Sequence, residues 1–271
     1  MRTLQAILDW IRITITLAFL LYASWSDHKT REVSNTVWIL FAPVALILTL
    51  VEICISDFSG LFAYVISFSL TAALAIVLFY AGGFGGADSK ALMCLALALP
   101  FYPSNTLTPI SGETSPQMQL FFPITVFSNS VILAGGMVII ILLHNISWRI
   151  RTHTEFFEKG QEKETWKKIL VLLTGYKMPL QRLKEKWHLY PLEDVEEDSE
   201  KGFRRKLVIV PKDEGREAIL QRLEKAVNAG AIQNQIWTSP GLPQLIFVTA
   251  GLVIALFGGD IIWSCIRLLL S

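Results

Sequence analysis

The chain has 271 residues, of which 52% are hydrophobic and only 17% are charged, and its formal net charge is +1. The apolar residues are collected in long blocks, which excludes an ordinary soluble globular protein and predicts a chain that crosses a membrane several times. The three cysteines stand singly in apolar runs and form no Cys-x-x-Cys pair. This pattern excludes a zinc ribbon and a disulfide framework, and it indicates small buried hydrophobic side chains.

Six apolar stretches predict membrane-spanning helices. They cover residues 7–25, 37–55, 61–80, 89–102, 121–146 and 242–256 or slightly beyond. The first is expected to be a retained helix rather than a secretory signal, because it is long, contains Arg12 and lacks a small-x-small cleavage site. The fourth has only 14 residues, about 21 Å as a helix, against roughly 30 Å of hydrocarbon. We therefore expect it to begin in a recess below the membrane surface.

Residues 148–237 have the composition of a soluble segment. Strands are predicted over residues 187–192, 206–210 and 233–237, and the apolar spacing over 213–229 predicts a helix. The acidic residues between Glu193 and Glu200 are typical of a solvated loop, with attraction of a basic substrate as the alternative. The expected fold is thus a membrane all-α protein of six transmembrane helices with a small α+β cytoplasmic domain between helices five and six. Its segments are residues 1–147, 148–237 and 238–271.

The distribution of positive charge predicts the orientation in the membrane. Of the 24 Lys and Arg residues, 18 lie between Arg149 and Lys225. Three more, Lys29, Arg31 and Lys90, fall in two other loops, and the rest were assigned to the opposite side: Arg2, Arg12 and Arg267. By the positive-inside rule, the three basic loops are expected to be cytoplasmic and both termini outside.

One aspartate is set among glycines between two apolar runs. Asp88 follows four glycines within residues 82–86. An ionisable residue in such a place usually faces a polar cavity and is functional, and glycines let the backbone approach a ligand closely. The alternative is that Asp88 only caps the following helix. A second acid, Asp27, follows the first span and is predicted to lie on the same side of the membrane. Two adjacent carboxylates share a proton, so one can act as general base toward water while the other donates to a peptide carbonyl.

Both acids lie in recognisable motifs. The first reads Asp-x-Lys-x-Arg-x-Val-x-Asn and is filled by Asp27, Lys29, Arg31, Val33 and Asn35, and the second is Gly85, Gly86, Ala87 and Asp88. Together they resemble the archaeal preflagellin peptidases, which are relatives of the type IV prepilin peptidases and belong to the GxGD class of membrane aspartic proteases. Ala87 stands where the wider class has glycine, which favours the archaeal branch.

The resemblance implies an aspartic endopeptidase of the archaeal cell membrane, with Asp27 and Asp88 as its catalytic residues. It would remove the short basic leader from preflagellins, and from prepilins, at the cytoplasmic face. Supporting residues are expected to be Gly85, Gly86, Lys90 and Pro243, the last from a Pro-Gly-x-Pro sequence that begins the final span. Precursor peptides and membrane lipid are the expected partners, and no cofactor, metal or nucleic acid is expected.

Two alternatives remain open from the residues. In the first, Asp27 and Asp88 mark the ion path of a transporter, although no inverted repeat is apparent. In the second, the dyad cuts within the bilayer as in presenilins, which requires deeply placed aspartates, whereas Lys29 and Arg31 hold Asp27 near the membrane boundary. The four histidines show no metal-ligand spacing.

Overall fold

A computed structural model describes residues 2–56, 58–158, 161, 164–198, 202–208, 215–241 and 243–270. The longer helices are α1 (Arg2–Thr30), α2 (Asn35–Ile55), α3 (Leu61–Tyr80), α4 (Gly86–Ala98), α6 (Phe122–Thr152), α9 (Arg216–Asn228) and α10 (Gln244–Phe257). The shorter ones are α5 (Pro116–Leu120), α7 (Thr165–Thr174), α8 (Leu180–Glu185) and α11 (Ile261–Leu270). The strands are β1 (Tyr176–Met178), β2 (Leu189–Pro191), β3 (Glu193–Asp198), β4 (Gly202–Leu207) and β5 (Ile236–Pro240). The chain divides into two compact units, residues 1–134 with 243–271 and residues 135–242.

Four single helices, α1, α2, α3 and α6, are long and apolar enough to cross a membrane, and the bent pair α10 and α11 makes a fifth candidate. The expected fourth span is not confirmed. It is α4, which begins at Gly86 rather than Ser89 and has 13 residues, about 20 Å of helix. Since roughly 30 Å of hydrocarbon must be crossed, α4 is too short to span on its own.

Helix α4 is the centre of the first unit. It packs against α1, α2, α3 and α10, and most of its side chains are buried, including Leu92, Leu95 and Ala98. A helix that is apolar on all sides belongs in an interior. The surrounding helices expose large apolar side chains instead, such as Ile39 and Phe62, as expected for a surface that faces lipid.

The break between α10 and α11 bends the pair by 54°. Gly259 adopts φ +101° there, a conformation that favours glycine. Asn129 on α6 bonds both sides of the break: its amide donates to the Gly259 carbonyl (3.0 Å), and its carbonyl accepts from Ile261 N (3.1 Å). Backbone groups at membrane depth need such internal partners. Asp260 then caps α11 by accepting from Trp263 N (3.1 Å).

The second unit contains a three-stranded antiparallel sheet with the order β1-β5-β2 and a separate β3-β4 hairpin. Pro191 pairs with Thr238 in the sheet, and Val195 pairs with Arg205 in the hairpin. Its core is formed by α8, α9 and the strands around Leu183, Leu189 and Leu223.

The predicted elements of this unit were found with shorter limits. The strands over 187–192 and 233–237 correspond to β2 and β5, and the helix over 213–229 corresponds to α9. The strand over 206–210 overlaps the end of β4, although residues 209–210 lie outside the described residues, as do 213–214. Sequence patterns missed β1, β3, α7 and α8, because two of these elements have only three and six residues.

The prediction of a solvated acidic loop is wrong for its first part, which forms β3. Glu193 is fully buried. Its carboxylate accepts hydrogen bonds from Nε and Nη2 of Arg205 (2.7 Å each), from the side-chain amide of Gln161 (2.6 Å) and from the backbone N–H of Trp237 (2.6 Å). Burial raises the pKa of Glu193, and the Arg205 charge opposes that rise. Glu200 lies outside the described residues.

Candidate active site

Asp27 lies in the last turn of α1 and is half-buried. The helix ends three residues later at Thr30, and the next residue, Arg31, adopts φ +57° and donates its backbone N–H to the Asp27 carbonyl (3.0 Å). The carboxylate has the charges of Arg31 and His28 near it, together with the backbone N–H of Leu245. Asp27 is therefore positioned by the end of its own helix and by one neighbouring helix.

The neighbouring helix is α10, whose N-cap residue is Pro243. Leu245 stands in its first turn, where backbone N–H groups and the helix dipole favour a negative charge. One turn before Asp27, Ser24 donates to the Leu245 carbonyl (2.8 Å) and shares a hydrogen bond with Thr249 (2.7 Å). These buried hydroxyls join α1 to α10 beside the acid. The role suggested for Pro243 is thus local: it begins the helix that faces Asp27.

Asp88 is the third residue of α4 and is also half-buried. Its Oδ2 accepts the backbone N–H of Gly85, the N-cap residue, at 3.0 Å. Asp88 therefore does cap α4, but it caps from inside the helix rather than from the N-cap position. A carboxylate offers about four acceptor sites on two oxygens, so one capping bond is compatible with acid–base chemistry.

The glycine loop is shaped by two of its members. Gly82 adopts φ +74° directly after α3, which a side chain would strain. A Cβ on Gly85 would lie 3.1 Å from Oδ2 of Asp88, so the close approach of backbone and carboxylate depends on glycine there. Phe84 is buried and its ring meets Phe127 of α6 edge-on, with 5.6 Å between ring centroids, which anchors the loop.

The structure brings the two predicted motifs together within the first unit. Asp27 lies close enough to Asp88 for their negative charges to interact. In addition, Lys90 Nζ donates to Asn35 Oδ1 at 2.6 Å, which links α4 to the start of α2. Gly86 has space for a side chain, since a Cβ there would meet only the Phe79 ring at 3.8 Å. Within the described residues, no three His, Cys, Asp or Glu side chains form a group that could hold a metal ion.

Ser24, Leu245 and Thr249 were missed by sequence reasoning. Hydroxyl side chains inside apolar runs belong to no motif, and a contact made by a backbone N–H does not depend on the identity of the side chain. The only available signal was spacing, because Ser24 precedes Asp27 by three residues and therefore lies near it on the same helix.

The fold and the site define an α-helical protein with four to five membrane-capable helices, in which two aspartate motifs from different helices lie together. Residues 14–143 match the model of the type IV leader peptidase family, and residues 167–261 match the model of the archaeal peptidase A24 C-terminus, type II. The two matches, both to models of A24 peptidases, together cover most of the chain. Similarity to peptidase models does not favour the transporter alternative.

Curated relatives extend over nearly the whole chain. It is 26% identical to the preflagellin peptidase of Methanococcus voltae, over 94% of this chain and 98% of the relative. Identity to the preflagellin peptidase of Methanococcus maripaludis is 24%, over 89% of this chain and 92% of the relative. Identity to the preflagellin peptidase of Methanocaldococcus jannaschii is 25%, over 89% of this chain and 91% of the relative.

Proposed function

We propose that the protein is an aspartic endopeptidase that removes the leader peptide from preflagellins. The observation that carries this proposal is that the structure brings the two aspartate motifs together, with Lys90 bonded to Asn35 between them, in a chain that matches leader peptidase models and curated preflagellin peptidases. Archaeal prepilins, which share a short basic leader before an apolar helix, are the second substrate class.

The chemistry follows from two carboxylates that share one proton. The ionised carboxylate takes a proton from water as the water oxygen attacks the peptide carbonyl, and the protonated one donates to the carbonyl oxygen. Collapse of the tetrahedral intermediate then expels the amine, which is protonated by the dyad. The pair titrates as a unit, so the proton belongs to the dyad rather than to one aspartate.

Neighbouring groups support this pair. The first-turn N–H groups of α10, which follow Pro243, favour a negative charge at Asp27. The backbone N–H of Gly85 donates to Asp88. Gly86 has no side chain, so the start of α4 leaves room for a peptide to approach. Lys90 contributes a positive charge two residues beyond Asp88, either toward the ionised dyad or toward a lipid phosphate.

The membrane arrangement that suits this activity has α4 as a short sixth membrane-embedded helix and the basic α+β unit in the cytoplasm. Positive charge is concentrated in that unit and in the loops that carry the motifs, so the dyad is assigned to the cytoplasmic face of an archaeal cell membrane. Leader removal would occur there, just before the apolar helix of the precursor.

The proposal is tested by replacing each acid with its isosteric amide. Purified wild type, Asp27→Asn and Asp88→Asn are incubated with a preflagellin, and the cleaved product is identified by mass spectrometry. Either substitution is expected to lower the cleavage rate by about 10²-fold to 10⁴-fold, which is the range that general acid–base catalysis contributes. Glu32→Gln is the matched control, because Glu32 is an exposed acid five residues beyond Asp27, and its rate is expected to stay within about twofold of wild type.

Undiminished cleavage by either aspartate variant would remove that residue from the mechanism. Wild-type protein that leaves every preflagellin and prepilin intact would contradict the proposed substrate class.

A further inference from the structure

The C-terminal end of α4 lies inside the bundle, and carbonyl groups at this end and just beyond it accept hydrogen bonds from side chains of three other helices. Arg12 of α1 donates from Nε to the Ala98 carbonyl at 2.8 Å. Thr49 of α2 donates to the Leu97 carbonyl at 2.7 Å, and Ser67 of α3 donates to the Pro100 carbonyl at 3.0 Å. We call Arg12, Thr49 and Ser67 the α4 socket. The last carbonyls of a helix have no partner within it, so the socket allows α4 to end at membrane depth.

Arg12 is the unusual member of the socket because it is charged and its side chain is only 3% exposed. Its guanidinium forms an ion pair with Glu52 of α2 and lies 3.7 Å from Asp9. A buried charge is costly unless it is paired and hydrogen-bonded. The neutral hydroxyls of Thr49 and Ser67 already satisfy carbonyls here, so satisfying one more carbonyl does not by itself explain a buried arginine. A cation at this end of α4 also interacts favourably with the helix dipole.

The charge count places Arg12, which lies within the first predicted span, on the side opposite the basic loops. Its side chain is buried among helices rather than exposed in a loop. The loop-charge count therefore loses one of the three residues assigned to the outer side, which leaves the positive-inside bias of the other loops unchanged.

The two helices joined by Arg12 are also the two that carry the acids. On α1, Arg12 and Asp27 are 15 residues apart, about 22 Å along the helix. On α4, Asp88 and Ala98 are ten residues apart, about 15 Å. A slip of α4 by one residue would turn Asp88 by about 100° and move it by about 1.5 Å. Since an error of about 1 Å can cost about 10²-fold in rate, the register of α4 against α1 decides whether the acids can cooperate.

We propose that Arg12 is a positioning residue that fixes the depth and rotation of α4, and thereby holds Asp88 against Asp27. The residue does not touch the substrate; it acts through the Ala98 carbonyl and its ion pair with Glu52. Its consequence for catalysis rests on the proposed function, whereas the register of the two helices is a separate property that is measured without any substrate.

Kinetics of socket variants test the catalytic part. Because Arg12→Met alone would leave Glu52 unpaired, the neutral variant is Arg12→Met with Glu52→Gln, and the conservative one is Arg12→Lys. The double variant is expected to lower kcat by about 10-fold to 10²-fold with KM within about twofold, and Arg12→Lys is expected to recover most of the loss. Size-exclusion profile and circular dichroism establish that each variant is folded.

Two threonine variants distinguish the loss of a socket hydrogen bond from the loss of any buried hydroxyl. Thr49→Val removes the bond to the Leu97 carbonyl, whereas Thr71→Val removes an equally buried hydroxyl that bonds only within α3, to the Ser67 carbonyl at 2.8 Å. Thr49→Val is expected to lower kcat severalfold, and Thr71→Val is expected to match wild type.

A distance measurement tests the register directly. Spin labels are placed at Lys29→Cys, two residues beyond Asp27, and at Lys90→Cys, two residues beyond Asp88, after replacement of the three native cysteines. Both positions are exposed. The double variant of Arg12 and Glu52 is expected to shift or broaden the distance distribution, and Arg12→Lys is expected to restore it.

A folded double variant with unchanged kcat and an unchanged distance distribution would overturn the proposal. If wild-type protein cleaves no precursor while the distance still shifts, the register role stands and the proposed function fails. If kcat falls while the distance distribution is unchanged, Arg12 does not act through the position of α4 and the proposal is wrong.

Discussion

The hydrogen bond between Lys90 and Asn35 connects the two sequence motifs more directly than any other described side-chain contact. Asn35 is the last residue of the first motif, and Lys90 follows the second by two positions. Their 2.6 Å bond joins residues that are 55 positions apart. The motif residues that flank the acids thus serve partly to hold the motifs together, a role that is separate from the chemistry at the carboxylates.

This contact predicts coupling between the two residues. Lys90→Met and Asn35→Ala are each expected to lower kcat/KM by about twofold to tenfold, since a hydrogen bond to a charged group is worth about 1.5–3 kcal/mol and exposure weakens it. The double variant is expected to lose no more than the stronger single variant, because both remove the same bond. Cleavage kinetics of the four proteins measure the coupling, and strictly additive losses would contradict it.

At the scale of elements, the shortness of α4 is the feature to which the other helices are adapted. Its N-terminus carries Asp88, its C-terminus lies in the socket, and its sides are enclosed by apolar helices. The loop before it is anchored through Phe84, and Ser89 donates to the Ala75 carbonyl of α3 (3.2 Å). Both ends of α4 are therefore held by contacts with other helices, which is how a helix shorter than the membrane can place a polar group at a defined depth.

Close packing of α10 on α6 depends on Gly251. A Cβ there would lie 2.7 Å from the Val126 carbonyl and also meet Ser130. Gly251→Ala is expected to destabilise the protein by about 1–3 kcal/mol, the usual range for overpacking, seen as a lower Tm in detergent. Gly135→Ala on α6 is the control, because a Cβ there meets nothing within 4 Å. That substitution is expected to be neutral or to stabilise by up to about 1 kcal/mol through helix propensity, and equal losses at both sites would refute the packing argument.

In the second unit, the pair formed by Glu193 and Arg205 predicts a large effect of breaking it. Arg205→Met leaves Glu193 buried without its counter-charge, at an expected loss of about 3–5 kcal/mol. Arg149→Met serves for comparison, because Arg149 and Glu155 form an exposed pair worth about 0–1 kcal/mol. Limited proteolysis of residues 155–241 reports the stability of the unit. Equal protease resistance of the two variants would show that the buried pair contributes little.

For the whole molecule, membrane orientation is the property on which the proposed activity depends. Single cysteines at Lys29, Lys225 and Ile110 are placed in a chain without the three native cysteines. A membrane-impermeant maleimide is expected to label Ile110→Cys in intact cells, and Lys29→Cys and Lys225→Cys only after lysis. The reason is that basic segments are retained in the cytoplasm. Ile110 is 88% exposed, so failure to label it outside would reflect orientation and would contradict the topology.

Residue composition and spacing were enough to predict the long apolar helices, the α+β character of residues 148–237 and both aspartate motifs. These are local properties, because helical and strand periods and short motifs are written in adjacent residues. Three-dimensional packing was needed to show that Glu193 is buried rather than solvated, that Ser24 and Leu245 adjoin Asp27, and that Arg12 binds the end of α4. Each of these depends on partners from 12 to 221 positions away, and no local pattern records which distant groups will satisfy a buried charge or an unpaired carbonyl.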